Sequence, residues 1–243
     1  MSDDKKLINA KKVVNILGKV EKDTKVLLLS DKETEKNVKY LTSSLDDTNC
    51  AYKHIKIETA KSHGSELPEK IAEEMKLVDL VIGLTKGNIT HTKARKDSQK
   101  EGVHVIALPE SHLDNFFLAN GWNCDFEKTK PKIERLAQAL TDADRARVHT
   151  EDGTDIEMSI KGRNGRALTG YGNSKDVSAG YCLESSLAPV EGTANGTIIV
   201  NTSVPGLCLI KEKNIEIKIK DGLATDINGG KEAEAFRNLL KSF

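Results

Sequence analysis

Short apolar runs alternate with amphipathic stretches over the first 145 residues. Four runs, at 25–30 (KVLLLS), 51–57 (AYKHIKI), 78–85 (VDLVIGLT) and 103–110 (VHVIALPE), have the length and aliphatic content of buried strands. Between them, 34–45 (TEKNVKYLTSSL), 66–77 (ELPEKIAEEMKL) and 90–102 (THTKARKDSQKEG) have helical length and polarity, the last ending on a glycine suited to a C-cap. An opening helix at 5–18 places Leu7, Ile8, Val13, Val14 and Leu17 near one face, and 130–144 (KPKIERLAQALTDAD) closes the unit. Strand and helix in alternation predict a parallel sheet covered by helices.

From 146–162 (ARVHTEDGTDIEMSIKG) onward the texture changes to strands and tight turns. A glycine-rich stretch follows, then 196–202 (GTIIVNT), 214–220 (NIEIKIK) and 223–229 (LATDING), with a helix from 231 to the end. Asp221-Gly222 between two alternating runs predicts a type I′ hairpin. The expected fold class is therefore α/β: a parallel-sheet, Rossmann-like α/β layer domain over 1–145, followed by a β-rich, mainly antiparallel domain over 146–243 that ends in a helix.

Composition narrows the partners. Lys plus Arg and Asp plus Glu both count 37 in 243 residues, and no basic stripe suits a phosphate backbone, so no nucleic acid is expected. No apolar run approaches the roughly 18–20 residues of a membrane span, so no membrane partner is expected. Cys50, Cys124, Cys182 and Cys208 are scattered, without a C-x-x-C pair or a signal-like start, and read as reduced thiols of a cytoplasmic protein. The partner expected is a small peptide or small-molecule substrate, and a homodimer is open to the chain.

Three stretches could carry chemistry. In 162–174 (GRNGRALTGYGNS) the glycines suit either a phosphate-cradling loop or a turn-rich connection, and the spacing is neither G-x-G-x-x-G nor a Walker loop. In 86–99 (KGNITHTKARKDSQ) a strand ends and a helix begins, so Thr90, His91 and Thr92 are expected at the carboxyl edge of the sheet, solvent-accessible and near a cleft, where open α/β sheets bind ligands. The threonines are ordinary N-caps. His91 is not explained by capping, and a helix N-terminus disfavours positive charge beside it, so the ring is a candidate proton acceptor. Glu184 and Glu191 flank Pro189 as solvated turn residues or as ligands. The six histidines, His54, His63, His91, His104, His112 and His149, form no H-E-x-x-H or comparable spacing.

The order of motifs is more specific than any one of them. V-D-L-V-I at 78–82, T-H-T-x-A-R at 90–95, G-V-x-V-x-x-L-P at 102–109, T-x-x-G-T-D-x-x-x-x-I-x-G-R at 150–163 and E-x-x-x-x-P-x-E-G-x-x-x-G-T at 184–197 together resemble the thermophilic metallo-aminopeptidase family of the aminopeptidase T type. More loosely the pattern is similar to 2,5-dihydroxypyridine 5,6-dioxygenase, a non-heme iron enzyme of the same superfamily. The first resemblance implies a cytosolic metal-dependent aminopeptidase acting on small peptides, with a divalent metal (Zn, Co or Mn) and Glu184 as a metal ligand. The second implies an iron-dependent ring-cleaving enzyme, in which His91 takes the catalytic role of deprotonating a hydroxypyridine. A third reading is a non-catalytic remnant that binds a small ligand. In these families the further metal ligands follow the segment here at 227–240, so the resemblance implies a fragment or a shortened member with an incomplete metal site. Glu184 is expected to be partly solvent-exposed, or paired with a nearby basic group such as Arg163 or Arg166.

Overall fold

A computed structural model describes residues 2–60, 62–204 and 207–241, the side chain of Cys208 excepted. In chain order the elements are α1 (Ser2–Lys11), β1 (Lys25–Ser30), α2 (Glu35–Asp46), β2 (Ala51–Lys56), α3 (Glu69–Met75), β3 (Leu80–Leu84), α4 (Lys93–Lys100), β4 (His104–Ala107) and α5 (Phe126–Asp142). Then come β5 (Arg145–His149), β6 (Asp155–Ser159), β7 (Arg166–Leu168), β8 (Glu184–Ser186), β9 (Asn195–Val200), β10 (Ser203–Val204), β11 (Cys208–Leu209), β12 (Ile215–Lys220), β13 (Leu223–Asn228) and α6 (Lys231–Leu240). The chain divides into two compact units, 1–134 with 167–185, and 135–166 with 186–243. Among the described residues no helix is long and apolar enough to cross a membrane.

The first unit carries a parallel four-stranded sheet in the order β2-β1-β3-β4. Its central strands are apolar throughout because both faces are covered. Val26 and Leu28 join one core cluster with Leu80, Ile82, Leu41 and Trp122, whereas Leu27 and Leu29 join the opposite cluster with Val81, Val105 and Met75. The run at 51–57, read as a buried strand, is instead the sheet edge: β2 leaves Lys53, His54 and Lys56 exposed, and charged side chains guard its free side. The opening helix also departs from its expected face. After Lys11 it continues as a π-helical segment, Lys12–Leu17, ending with a Gly18 N–H to Val13 O bond of 2.8 Å. The wider turn changes the phase, so Val13, Val14 and Leu17 are buried while Ile8 is turned to solvent.

The second unit is built on an antiparallel five-stranded sheet, β13-β12-β9-β6-β5. Ile215, Ile217 and Ile227 pack beneath Ala233 and Phe236 of α6. The β12–β13 connection is the expected type I′ hairpin: Asp221 and Gly222 have φ of +49° and +78°, and Lys220 pairs with Leu223. A parallel α/β layer followed by an antiparallel β-rich unit is the expected fold class. Cys50, Cys124 and Cys182 are free thiols, and the expectation for Cys208 lies outside the described side chains.

Candidate functional site

The loops that leave β1, β2, β3 and β4 meet at the carboxyl edge of the parallel sheet. In this strand order the connection leaves in opposite directions from β1 and β3, which opens the crevice where such sheets bind ligands. Here that crevice is laced by the protein's own groups. Asp31, 1% exposed, follows β1; its Oδ1 accepts the N–H groups of Glu33 (3.0 Å) and Thr34 (3.1 Å), and its Oδ2 accepts that of Lys86 (2.8 Å) beyond β3. The Thr34 hydroxyl donates to Leu84 O at 2.8 Å. A buried carboxylate without counter-ion is tolerable when backbone donors surround it. Beside it lies a pocket of about 250 Å³ lined by Asp31, Ile57, Thr59, Leu67, Thr85 and Asn88 among others.

After β3 the chain turns through Ile89–His91 and enters α4. Asn88 Oδ1 accepts the Thr90 N–H at 2.8 Å, and Thr92 Oγ1 caps α4 by accepting the Arg95 N–H at 3.2 Å. Glu66 Oε1 accepts the Lys93 N–H at 2.7 Å, bringing a carboxylate to the same helix terminus. Thr90 and Thr92 are buried at 4% and 0% exposure, so the expectation that all three residues face solvent is corrected for the threonines: the Thr90 hydroxyl donates to Asn88 Oδ1, and the Thr92 hydroxyl donates to Ile89 O while it caps α4. His91 is exposed between them.

Sequence reasoning missed what stands beside His91. A Cβ on Gly64 would lie 3.9 Å from the His91 Cβ, so the loop after β2 reaches the same place. It is pinned there by Gly64 N–H to Asn88 O (2.9 Å) and by Asn88 N–H to His63 Nδ1 (3.1 Å). Because His63 Nδ1 accepts, its proton is assigned to Nε2, which sits 3.4 Å from Glu110 Oε1. The other Glu110 oxygen is 3.4 Å from His112 Nδ1. Glu110 itself holds a left-handed φ of +61°. These residues come from loops far apart in sequence and carry no motif; their only signal is that each follows a strand.

Glu184 opens β8, a strand paired with β7, and is exposed. Its exposure agrees with one arm of the expectation; of the two arginines named as the other arm, Arg163 is ion-paired with Glu191. His91 and Glu184 therefore lie on different elements, one on the loop after a parallel strand and one on a small two-stranded sheet. Next to Glu184, burial and the Glu184 charge push the Cys182 thiol above its ordinary range, so it is a poor nucleophile.

A sequence model of the 2,5-dihydroxypyridine 5,6-dioxygenase (NicX) family matches residues 6–243. The chain belongs to that family. Among solved structures it is similar to the 2,5-dihydroxypyridine dioxygenase from Pseudomonas putida, with a TM-score of 0.80 and 16% identity over 97% of this chain and 71% of that one. It is also similar to wild-type AmpT from Thermus thermophilus, with a TM-score of 0.65 and 14% identity over 100% of this chain and 76% of that one. At these identities the likeness is one of fold. No curated protein matches the sequence significantly. The motif order put the aminopeptidase first; the family match reverses that ranking, because the peptidase likeness rests on fold alone while NicX membership rests on sequence.

A metal is the cofactor that membership of the NicX family makes plausible, and a protein site needs several converging ligands to hold one. Among the described residues no group of three His, Cys, Asp or Glu side chains could hold a metal ion. His63 and His112 engage different oxygens of Glu110, and Glu184 is a lone anticipated ligand. The described residues do not by themselves fit the group.

Proposed function

We propose that this chain binds a small hydroxylated, pyridine-like ring at the carboxyl edge of its parallel sheet and takes the hydroxyl proton at His91. That is the opening step of the ring cleavage for which the NicX family is named. The observation that carries the reading is the exposed His91 imidazole between two buried, hydrogen-bonded threonines, at the sheet edge where such ligands bind. The proton leaves the ring hydroxyl for an imidazole nitrogen; the ring keeps the electron pair as an oxyanion, and the imidazolium forms at the protein surface, where water solvates it. Glu110, 3.4 Å from His63 and from His112, supplies negative charge to the same edge. Glu184 is offered as one carboxylate for a metal, with no step derived through it.

The test uses 2,5-dihydroxypyridine with the purified chain and reads the ring's ultraviolet absorbance. Saturable binding is expected, with the bound ring showing its deprotonated spectrum at a pH where the free ring is neutral. His91→Gln is expected to bind but to lose that spectral shift. Absence of saturable binding, or the same shift in His91→Gln, refutes the proposal. Turnover of a leucyl anilide with added Zn²⁺, Co²⁺ or Mn²⁺ would return the peptidase reading to first place.

A further inference from the structure

The glycine-rich stretch at 162–174 has no part in the carboxyl edge, yet the fold puts its Tyr171 somewhere specific. Gly170 (φ +83°) and Gly172 let this backbone lie close to its neighbours: a Cβ on Gly170 would fall 2.4 Å from Gly180 O, and one on Gly172 would fall 3.1 Å from Ile106 and 3.3 Å from Leu80. The Gly172 N–H also donates to Leu17 O at 2.9 Å. Tyr171 is thereby held at the amino edge of the parallel sheet, where β1, β3 and β4 begin.

A cavity of about 670 Å³ opens there, lined by Lys19, Lys25, Lys76, Lys130 and Tyr171 among others. That size suits a small organic ligand. The Lys19 and Lys130 ammonium groups lie 5.6 and 4.9 Å from the centroid of the same Tyr171 ring. Lys19 holds a left-handed φ of +48°, a conformation a lysine adopts only at a cost. Two acids line it: Asp79 Oδ2 accepts the Lys25 N–H at 2.8 Å, and the Glu101 charge acts on Lys76, which pairs with Glu73 at 2.7 Å. Lys130 has Glu134 at 3.8 Å, and among the described residues no carboxylate pairs with the ammonium of Lys19 or Lys25. A smaller hollow that carries Glu127 shares Lys19, Lys130 and Tyr171. Two like charges held against one ring repel each other, and an anion seated between them removes that repulsion.

We propose that this amino-edge cavity is a binding site for a small anion bearing carboxylate or phosphate groups, gripped by Lys19 and Lys130 over Tyr171 with Lys25 at its rim. The experiment is calorimetric titration of the full chain with succinate and, separately, pyrophosphate, at constant ionic strength. Saturable binding of at least one probe is expected, and which one binds distinguishes the carboxylate from the phosphate source. Lys19→Asn removes the charge with a residue that tolerates the left-handed backbone, and Lys130→Gln keeps the helix. Each is expected to weaken binding about tenfold while circular dichroism stays that of the parent. Lys161→Gln, in the other compact unit, is expected to leave binding unchanged. Saturable binding of neither probe overturns the proposal. So does binding that the two variants leave within about twofold of the parent, or equal weakening by all three substitutions.

Discussion

Asp31→Asn is the sharpest probe of how the carboxyl edge is held. The carboxylate accepts three backbone N–H groups, two from its own turn and one from Lys86 across the crevice. An asparagine keeps one acceptor oxygen. In its cheaper orientation that oxygen stays on Glu33 and Thr34, and the new NH₂ faces the Lys86 N–H, donor against donor. One charge-assisted bond is lost and the Lys86 donor is left without its partner, a loss of about 2 kcal/mol; the opposite orientation breaks two bonds. Urea unfolding followed by tryptophan fluorescence reads this unit alone, because Trp122 is the chain's single tryptophan, is fully buried and lies in 1–134. With a urea m-value of about 2 kcal/mol/M, the midpoint is expected to fall by about 1 M at unchanged m. Hydrogen exchange at the Lys86 amide is expected to accelerate alongside it. A midpoint within about 0.2 M of the parent would refute the reasoning, since the bond from Lys86 would then carry almost none of the stability assigned to it.

Two further predictions test the first unit. Partial burial of the ring against the sheet pushes the His54 imidazole below its ordinary value, with Glu35 opposing and Lys56 assisting, and the ring shares a 2.7 Å hydrogen bond with Ser30. The unfolded chain therefore takes up that proton first, so stability is complete above about pH 6.5 and declines as the pH falls below it. His54→Gln is expected to flatten the decline between about pH 7.5 and 5.5 in the same urea assay, and an unaltered slope would contradict it. Gly121→Ala places a Cβ 2.3 Å from the Tyr181 ring, which itself packs edge-on to Trp122 at 4.9 Å. A loss of about 1–3 kcal/mol with a shifted tryptophan emission is expected, and parental stability would show that the ring yields freely.

The parts of the fold that could be read from the chain are those where one physical requirement writes itself into consecutive residues. Strands β1 and β3 are apolar at every core position because both faces are buried, and Asp221-Gly222 is one of few pairs that accept two positive φ values in succession. Burial across a sheet edge leaves no such mark: β2 alternates like a half-buried strand, and nothing in AYKHIKI says which neighbour it lacks. The π-helical segment after Lys11 is equally silent, since its residues suit an α-helix and the wider turn shows only in the folded backbone, as in the Val13–Gly18 bond. That residues 167–185 join the first unit is also a long-range fact, carried by aromatic contacts such as Trp122 with Tyr181 rather than by any local pattern.

The candidate site divides along the same line. His91 was legible because a strand, a short Gly-Asn loop and a cap stand in sequence around it, which fixes its place at the sheet edge from local rules alone. His63, Glu110 and His112 were not, because their meeting depends on β2 and β4 lying on opposite sides of the β1-β3 pair, with loops long enough to reach across. Only 4% of the residues are aromatic, and Phe116, Phe117, Trp122 and Phe126 gather in one buried cluster with the half-buried Tyr181 packed against it. Rings committed to a core cannot stack on a ligand at the carboxyl edge. A hydroxypyridine bound there must be held by hydrogen bonds and apolar contacts around His91 and the Asp31–Asn88 pocket, and its affinity should respond to pH more than to ring substituents that alter only stacking.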